Sequence, residues 1–492
     1  MTNQNQHRSE VKKIQEQLNS YYKENGARSA VSLHYPSKHS LTTRSKSYKD
    51  KASHRIDCGP LNKILNIDKV KMIATVEPRV TMEELVLATY KEGLMVPVIP
   101  ELKSITVGGA IMGGAGESSS HHWGCFNDLI VSMEILCGNG DLLKVTSTEH
   151  SDIFYGIAGS YGSLGMLVSA EIRLLPAKEF VQLRYHRFTD PQAAIQALRT
   201  FMHAQNAPDF LEGLVFSNKL AVIIEGRMRS KEEIGNLPRF TTRFYSEWYF
   251  QHAWNITSAK PGYEEAMTYT DYLFRHDQGS FWVGAYLFHI PLLLRLASQG
   301  VYRITKPKQD WFTQEELAKF KLLPNPSLLH RILSYPWMNT RNMSMILHRS
   351  EKWIQNRLLI QDFCIPESKA ACFLMETLKD PAIFPIWLCP VKATNNPEIF
   401  APHYLSNGSL ETHIIDIGLY GLPGYSAPME EITKKLEIKT RDYGGRKILY
   451  SRCYYSLDEF WEIYPKDQYQ SLRQKTFAEG TWHDITQKVL SE

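Results

Sequence analysis

The sequence has no run of roughly eighteen consecutive apolar residues, the length a helix needs to cross a bilayer. Its nearest approach, residues 283–295, is broken by His289 and Pro291 and ends in Arg295. That suits a buried or interfacial segment. Cysteine is sparse and scattered: Cys58, Cys125, Cys137, Cys364, Cys372, Cys389 and Cys453 are odd in number, and none falls in a Cys-x-x-Cys spacing. A disulfide framework and a zinc ribbon are thereby excluded, so no metal site is expected, and free thiols fit a reducing compartment. An excess of either charge is also missing. The formal net charge is +4, too small to argue for nucleic acid, although a modest attraction to an anionic membrane surface stays open. The polar start, MTNQNQHRSEVKK, lacks the pattern of a signal peptide. A cytoplasmic protein, with peripheral membrane contact at most, is the expectation. No internal repeat or low-complexity segment stands out.

Two nucleotide signatures are absent as well. There is no G-x-x-x-x-G-K-[ST], which excludes a P-loop, and no G-x-G-x-x-G. The window Gly114-Ala115-Gly116-Glu117-Ser118-Ser119 lacks the final glycine, so a Rossmann dinucleotide site is not supported. What is present is ELKSITVGGAIMGGAGESSSHHWG, residues 101–124, with six glycines and three consecutive serines. Glycine permits close approach of backbone to a partner. Successive amides can form an anion-binding concavity, and serines add donors of adjustable direction. Ile105, Val107, Ile111 and Met112 interleave with the glycines, which suits a buried ligand loop better than a linker.

The 492 residues allow two or three domains. Val11, Ile14, Leu18 and Tyr21 predict an amphipathic helix within residues 1–25. A compact α+β run follows: a strand at 73–77, a capping box from Thr81 to Glu84 opening a helix that stops at Gly93, and strands at 95–99, 129–137 and 142–145. Asn139-Gly140 is a hairpin signal between the last two. A short helix at 151–156 precedes a second glycine cluster, Gly159 to Gly165, and a strand at 167–175 halted by Pro176. Beyond that candidate boundary, helices are predicted at 191–206, 366–378 and 429–442. Strands are predicted at 210–216, 220–225, 384–391, 413–419 and 447–454. Residues 248–353 are aromatic and basic with no clear period. The alternation suits an antiparallel sheet with helices on one face.

Two features together carry a family resemblance: TVGGAIMGGAGESSS, and the hairpin ending in GNGD followed by GSYGSLGMLVSAEIRLLPAK. With VEPRVTMEEL, VPVIPEL, HSDIFY, PIWLCP, DIGLYG and YSLDEFWEIY, the chain resembles the FAD-binding vanillyl-alcohol-oxidase-like flavoenzymes. Within them it is most similar to the Δ24-sterol reductase group. The resemblance implies an α+β fold: a two-subdomain FAD-binding domain of the PCMH type over residues 26–178, and a substrate domain with an antiparallel sheet over 179–492, whose C-terminal segment returns toward the flavin. It implies that Thr106, Val107, Gly108, Gly109, Ala110, Ile111, Met112, Gly113, Gly114, Ala115, Gly116, Glu117 and Ser118 lie along the FAD pyrophosphate and toward the flavin. Gly162 and Gly165 would flank the flavin, and Ser40, Thr43 and Arg44 would stand at the first phosphate loop. That loop departs from the Gly-Gly-His form that tethers flavin covalently in many relatives, so noncovalent FAD is expected, with His39 an ordinary loop residue.

The implied reaction is reduction of an isolated side-chain alkene of a sterol or isoprenoid-like substrate. Hydride would come from flavin N5, a proton from a protein acid, and electrons from NADPH or through a partner reductase. The acid is open among Glu117, His121 and Tyr454, with Tyr450 and the cluster Arg275, His276 and Asp277 also considered. Against these stand plainer readings: a capped loop carboxylate for Glu117, a flavin-packing pair for His121 and His122, strand core for the tyrosines, and a structural ion-pair cluster around Arg275. The aromatic stretch 281–353 reads equally as a sterol-sized pocket or as core. Rival readings are a flavin-linked oxidase or dehydrogenase of an alcohol or sugar, and a non-catalytic lipid-binding scaffold.

Overall fold

The computed structural model describes residues 3–25, 31–34, 42–44, 47–49, 51–52, 54–259, 262–285, 328–343, 358–397, 399–405, 409–424 and 427–491. The fold is α+β. In its first half, strands β1 (Val31–His34) and β2 (His54–Asp57) form a parallel pair. Strands β3 (Ile64–Asp68), β4 (Ile73–Val76), β6 (Ile130–Leu136), β7 (Leu142–Thr146) and β8 (Met166–Arg173) make an antiparallel sheet in the order β3-β4-β8-β6-β7. The two-residue strands β5 (Leu94–Met95) and β9 (Leu175–Pro176) pair separately. The β6–β7 hairpin turns where Gly140 has φ +89°, a backbone state that glycine reaches without strain. The expected capping box is present: the Thr81 hydroxyl accepts from Glu84 N–H, and the Glu84 carboxylate accepts from Thr81 N–H, opening the helix Met82–Lys91. The helix Asn3–Asn25 buries Val11, Ile14 and Leu18 against Leu136, Met166, Ala478 and Trp482. Distant ends of the chain thus share one core.

The second half is built on an eight-stranded antiparallel sheet. Its strands are β10 (Phe180–Phe188), β11 (Phe210–Ser217), β12 (Leu220–Arg229), β13 (Glu264–Thr268), β14 (Leu359–Pro366), β15 (Ile386–Lys392), β16 (His413–Gly421) and β17 (Arg446–Lys447), in the order β13-β10-β12-β11-β15-β16-β14-β17. Side chains alternate across a strand, and here the alternation divides two environments. Phe363 and Ile365 of β14, Ile415, Ile417 and Leu419 of β16, and Leu388 of β15 face the helices Pro191–Met202, Glu367–Thr377 and Met429–Asp442. Each such fully buried aliphatic side chain contributes roughly 1.5–3 kcal/mol. The residues between them, Asp362 and Cys364, Asp416 and Tyr420, and Trp387 and Cys389, lie on the opposite face, toward the first domain.

Several expectations change. Residues 96–99 are not strand. Pro97 has no amide to give a ladder, and only Leu94–Met95 pairs. Residues 448–454 are not strand either: Ile448 N–H donates to Asp362 O, and the chain then turns. The glycine segment holds a short helix, Val107–Gly113, because the Thr106 hydroxyl caps it and Gly114 (φ +63°) ends it. Strands β10, β13 and β14 were not anticipated. Phe281 and Trp282 are buried, and the Trp282 indole donates to Tyr420 O at 2.6 Å; residues 286–327 and 344–353 of the aromatic stretch lie outside the described residues. Among the described residues, no helix is long and apolar enough to cross a membrane.

Candidate active site

A cavity of about 1000 Å³ opens between the glycine segment and the inner face of the large sheet. Its first wall is Ile105, Thr106, Gly108, Gly109, Met112, Gly113, Ala115 and Gly116. These glycines serve close packing more than amide donation. A Cβ on Gly108 would come within 2.9 Å of the Pro78 Cβ, and one on Gly114 within 2.9 Å of the Pro402 ring. The first amides of the helix are already engaged: Val107 N–H donates to Val80 O, Gly108 N–H to Pro78 O and Gly109 N–H to the Thr106 hydroxyl. Gly113 has only the Tyr161 hydroxyl near its Cβ position, at 4.0 Å, so the wall is smooth there.

Two buried cations line the cavity. Arg44 is buried, donates from Nη1 to Leu449 O at 2.9 Å and stacks 4.0 Å over the Tyr161 ring. Lys488 Nζ donates to Tyr161 O and Gly162 O at 3.1 and 2.8 Å. Burial, then Arg44, Arg473 and Lys49, hold its ammonium well below the ordinary lysine range. Two buried cations facing one space repel each other, and an anion between them would relieve both.

The sheet face of the cavity is acidic. Tyr420 donates its hydroxyl to Asp362 Oδ1, and Tyr450 hydrogen-bonds to the same carboxylate. Burial pushes the Asp362 carboxyl up to about 6 against the opposing effect of these two phenols. Asp416 is 4% exposed and lines the cavity, and its Oδ1 has no hydrogen-bond partner among the described residues. Burial, then the charges of Asp362 and Glu101, push it well above the carboxylate range. Glu101 also lines the cavity, with Arg275 Nη2 3.9 Å from its Oε1.

The residues named from the sequence distribute unevenly. Thr43, Arg44, Thr106, Gly108, Gly109, Met112, Gly113, Ala115, Gly116, Gly162 and Gly165 line the cavity. Val107, Ala110 and Ile111 face the core, and Gly114 packs on Pro402. Ser40 and His39 lie outside the described residues. Glu117, His121 and Tyr454 are not among the lining residues. Glu117 is buried; Ser118 donates to its Oε2 at 2.6 Å and Ser119 to its Oε1, which matches a capped carboxylate. Ser118 in turn contacts the Tyr272 hydroxyl and Arg275. His121 turns both ring nitrogens to carbonyls, Nδ1 to Ser118 O at 3.0 Å and Nε2 to Pro208 O at 2.8 Å. Burial, then His122, pushes it down to about 3. Tyr454 gives its amide to the Glu437 carboxylate. Arg275 and His276 both bond Glu212, at 2.8 and 3.0 Å, in a buried ion-pair cluster.

Sequence reading missed Asp362, Asp416, Tyr420, Trp387 and Lys488 as cavity residues. A signal existed for two of them: in DIGLYG the aliphatic Ile417 and Leu419 alternate with Asp416, Gly418 and Tyr420, which assigns the latter three to one face. Just behind the wall, Cys125 Sγ lies 3.3 Å from His403 Nδ1, and His403 Nε2 lies 2.9 Å from Asp128, a buried relay that ties the two domains together.

An FAD binding domain family model matches residues 15–146. The delta(24)-sterol reductase of Homo sapiens is 29% identical over 487 residues, covering 98% of this chain and 86% of that protein. The delta(24)-sterol reductase of Pisum sativum is 30% identical over 473 residues, covering 90% of this chain and 78% of its own length. Decaprenylphosphoryl-beta-D-ribose oxidase of Mycolicibacterium smegmatis is 33% identical, but over 138 residues, 27% of this chain.

Proposed function

From this chain's membership of the delta(24)-sterol reductase family of flavin oxidoreductases, we propose that it reduces an isolated C=C bond in the side chain of a sterol-like lipid. The carrying observation is one cavity lined both by buried cations and by a buried carboxyl, Asp416, whose Oδ1 has no hydrogen-bond partner among the described residues. Arg44 and Lys488 would hold the FAD diphosphate, with the glycine wall against the rest of the cofactor and no covalent tether. Both side chains are already oriented by carbonyls, so little ordering accompanies binding. When bound and reduced, FAD supplies the hydride that reaches one alkene carbon. The protein's part is to orient the alkene, exclude water and supply a proton to the other carbon. Ile105, Met112, Phe281, Val283, Ile360 and Trp387 give the cavity the apolar surface that a sterol side chain needs. NADPH is the proposed electron source, with a partner reductase as the other route. Exposed Leu328, Leu329 and Trp337 support a peripheral membrane contact for taking up such a substrate.

The test is anaerobic and spectroscopic. FAD-loaded protein is mixed with NADPH, then with desmosterol. Bleaching of the flavin band and its return on adding the sterol are expected. Bleaching by an alcohol or sugar instead, with no response to the alkene, would move the assignment to an oxidase. The oxidase match over 138 residues, 27% of this chain, makes that the second reading.

A further inference from the structure

An isolated alkene has no carbonyl to draw hydride toward it. A proton must therefore reach one carbon as the hydride reaches the other. The donor has to be a stronger acid than a phenol and still hold its proton near neutral pH. A carboxylic acid kept neutral in a dry site meets both conditions. Three carboxyls line the cavity: Glu101, Asp362 and Asp416. Asp362 accepts from two phenols, which favour its anion. Burial also pushes Glu101 well above the carboxylate range, and its Oε1 too lacks a hydrogen-bond partner among the described residues, but the Arg275 guanidinium 3.9 Å away opposes that shift. Asp416 has no cation or phenol donor among the described residues. Its register partners on the flanking strands are Cys364 and Cys389, uncharged thiols that burial keeps from ionising. The Cys364 thiol reaches the Asp416 carboxyl, and Oδ1 is left without a partner among the described residues.

We propose that Asp416 is the general acid of the reaction, and that Asp362, held by Tyr420 and Tyr450, is the fixed neighbouring charge that faces the developing positive carbon. This rests on the reductase reading. The Asp416 O–H bond breaks as a C–H bond forms from the alkene π pair, and hydride from reduced FAD forms the second C–H bond. A saturated side chain, oxidised FAD and the Asp416 carboxylate result. Solvent then returns the proton to Asp416, and NADPH restores the electron pair. The two carboxyls take opposite roles because they sit in opposite company: phenol donors for Asp362, thiols and a like charge for Asp416. The titratable groups facing Asp416 are Asp362 and Cys364 from β14, Cys389 from β15, Tyr420 from its own strand, and Glu101 and Tyr450 from the loops.

The experiment uses FAD-loaded wild type, Asp416→Asn, Asp416→Glu and Asp362→Asn. A deuterium-shifted infrared band of a protonated buried carboxyl at neutral pH, identified as one that Glu101→Gln and Glu117→Gln leave in place, is expected in wild type and absent in Asp416→Asn. In that variant NADPH should still bleach the flavin, while reoxidation by desmosterol falls about 100- to 10,000-fold. Asp416→Glu should recover part of the rate. Where Asp416→Asn does not retain FAD, Asp362→Asn decides: removing the neighbouring charge should move the loss of reoxidation at high pH to lower pH. A band that survives in Asp416→Asn, reoxidation within threefold of wild type, a comparable loss in Glu101→Gln, or an unmoved limb in Asp362→Asn overturns the assignment. Wild type that no sterol alkene reoxidises overturns the reductase reading, while the infrared band still reports on Asp416.

Discussion

His7 Nδ1 lies 2.7 Å from Glu77 Oε1, and its Nε2 faces Glu134 at 3.8 Å. One histidine thus fastens the first helix to the five-stranded sheet, at β6 and just beyond β4. Burial acts to lower its pKa, but the bonds to Glu134 and Glu77 outweigh it and raise the ring from 6.5 to about 9. The raised value sets the sign. The folded state binds the proton more tightly than the unfolded one, so the stabilisation is full below 6.5 and is lost as pH rises through about 9. Hydrogen exchange in residues 3–25, corrected for intrinsic rates, should accelerate across that window. His7→Gln should remove the dependence; an unchanged profile would refute it.

Lys488 is expected to act in opposite directions on the empty and loaded protein. Its charge is buried beside Arg44. Lys488→Met should therefore leave the apoprotein as stable or more so, while weakening FAD about 10- to 100-fold through loss of one charged hydrogen bond. Melting temperature and FAD fluorescence titration measure the two effects. A parallel loss in both would place Lys488 among purely structural groups.

Tyr450 bonds Asp362, and that bond favours the carboxylate. Tyr450→Phe should raise Asp362 above its value of about 6. The low-pH limb of alkene-driven reoxidation should then move to higher pH, with FAD binding intact. A limb that stays in place would detach Tyr450 from the acid pair.

Ile417 is fully buried between the large sheet and its helices, on the face away from the cavity. Ile417→Ala is expected to cost about 2–5 kcal/mol in urea unfolding. The rate of desmosterol reoxidation at low temperature should barely change, since the flanking Asp416 faces the other way.

Much of the scaffold was legible because local rules wrote it. Thr81 and Glu84 three residues apart gave the helix start, and Asn139-Gly140 gave the hairpin. Residues 413–419 gave a strand, although the face that Asp416, Gly418 and Tyr420 share was not read from it. Strand β10 was equally readable in Val181, Leu183 and Tyr185, which are buried at every second position. It was passed over for lack of a turn signal after Pro176. The site was less legible because proximity there is tertiary. Arg44, Tyr161 and Lys488 meet across more than 400 residues of sequence. Tyr450 reaches Asp362 only because the chain turns after Ile448. Glu117 drew notice by its place in the glycine loop, with a capped carboxylate as the plainer reading; Ser118 and Ser119 satisfy it, as that reading has it.

The cavity is stitched shut late in the chain. Val31 N–H donates to Thr481 O at 2.7 Å, and Trp482, His483 and Lys488 line the same space as Gly108 and Gly116. Segments more than 400 residues apart in sequence must therefore both be in place before the cavity is whole. A chain folded only through its first half would present the glycine wall without Lys488, and cofactor capture becomes a late step of folding rather than a seed for it.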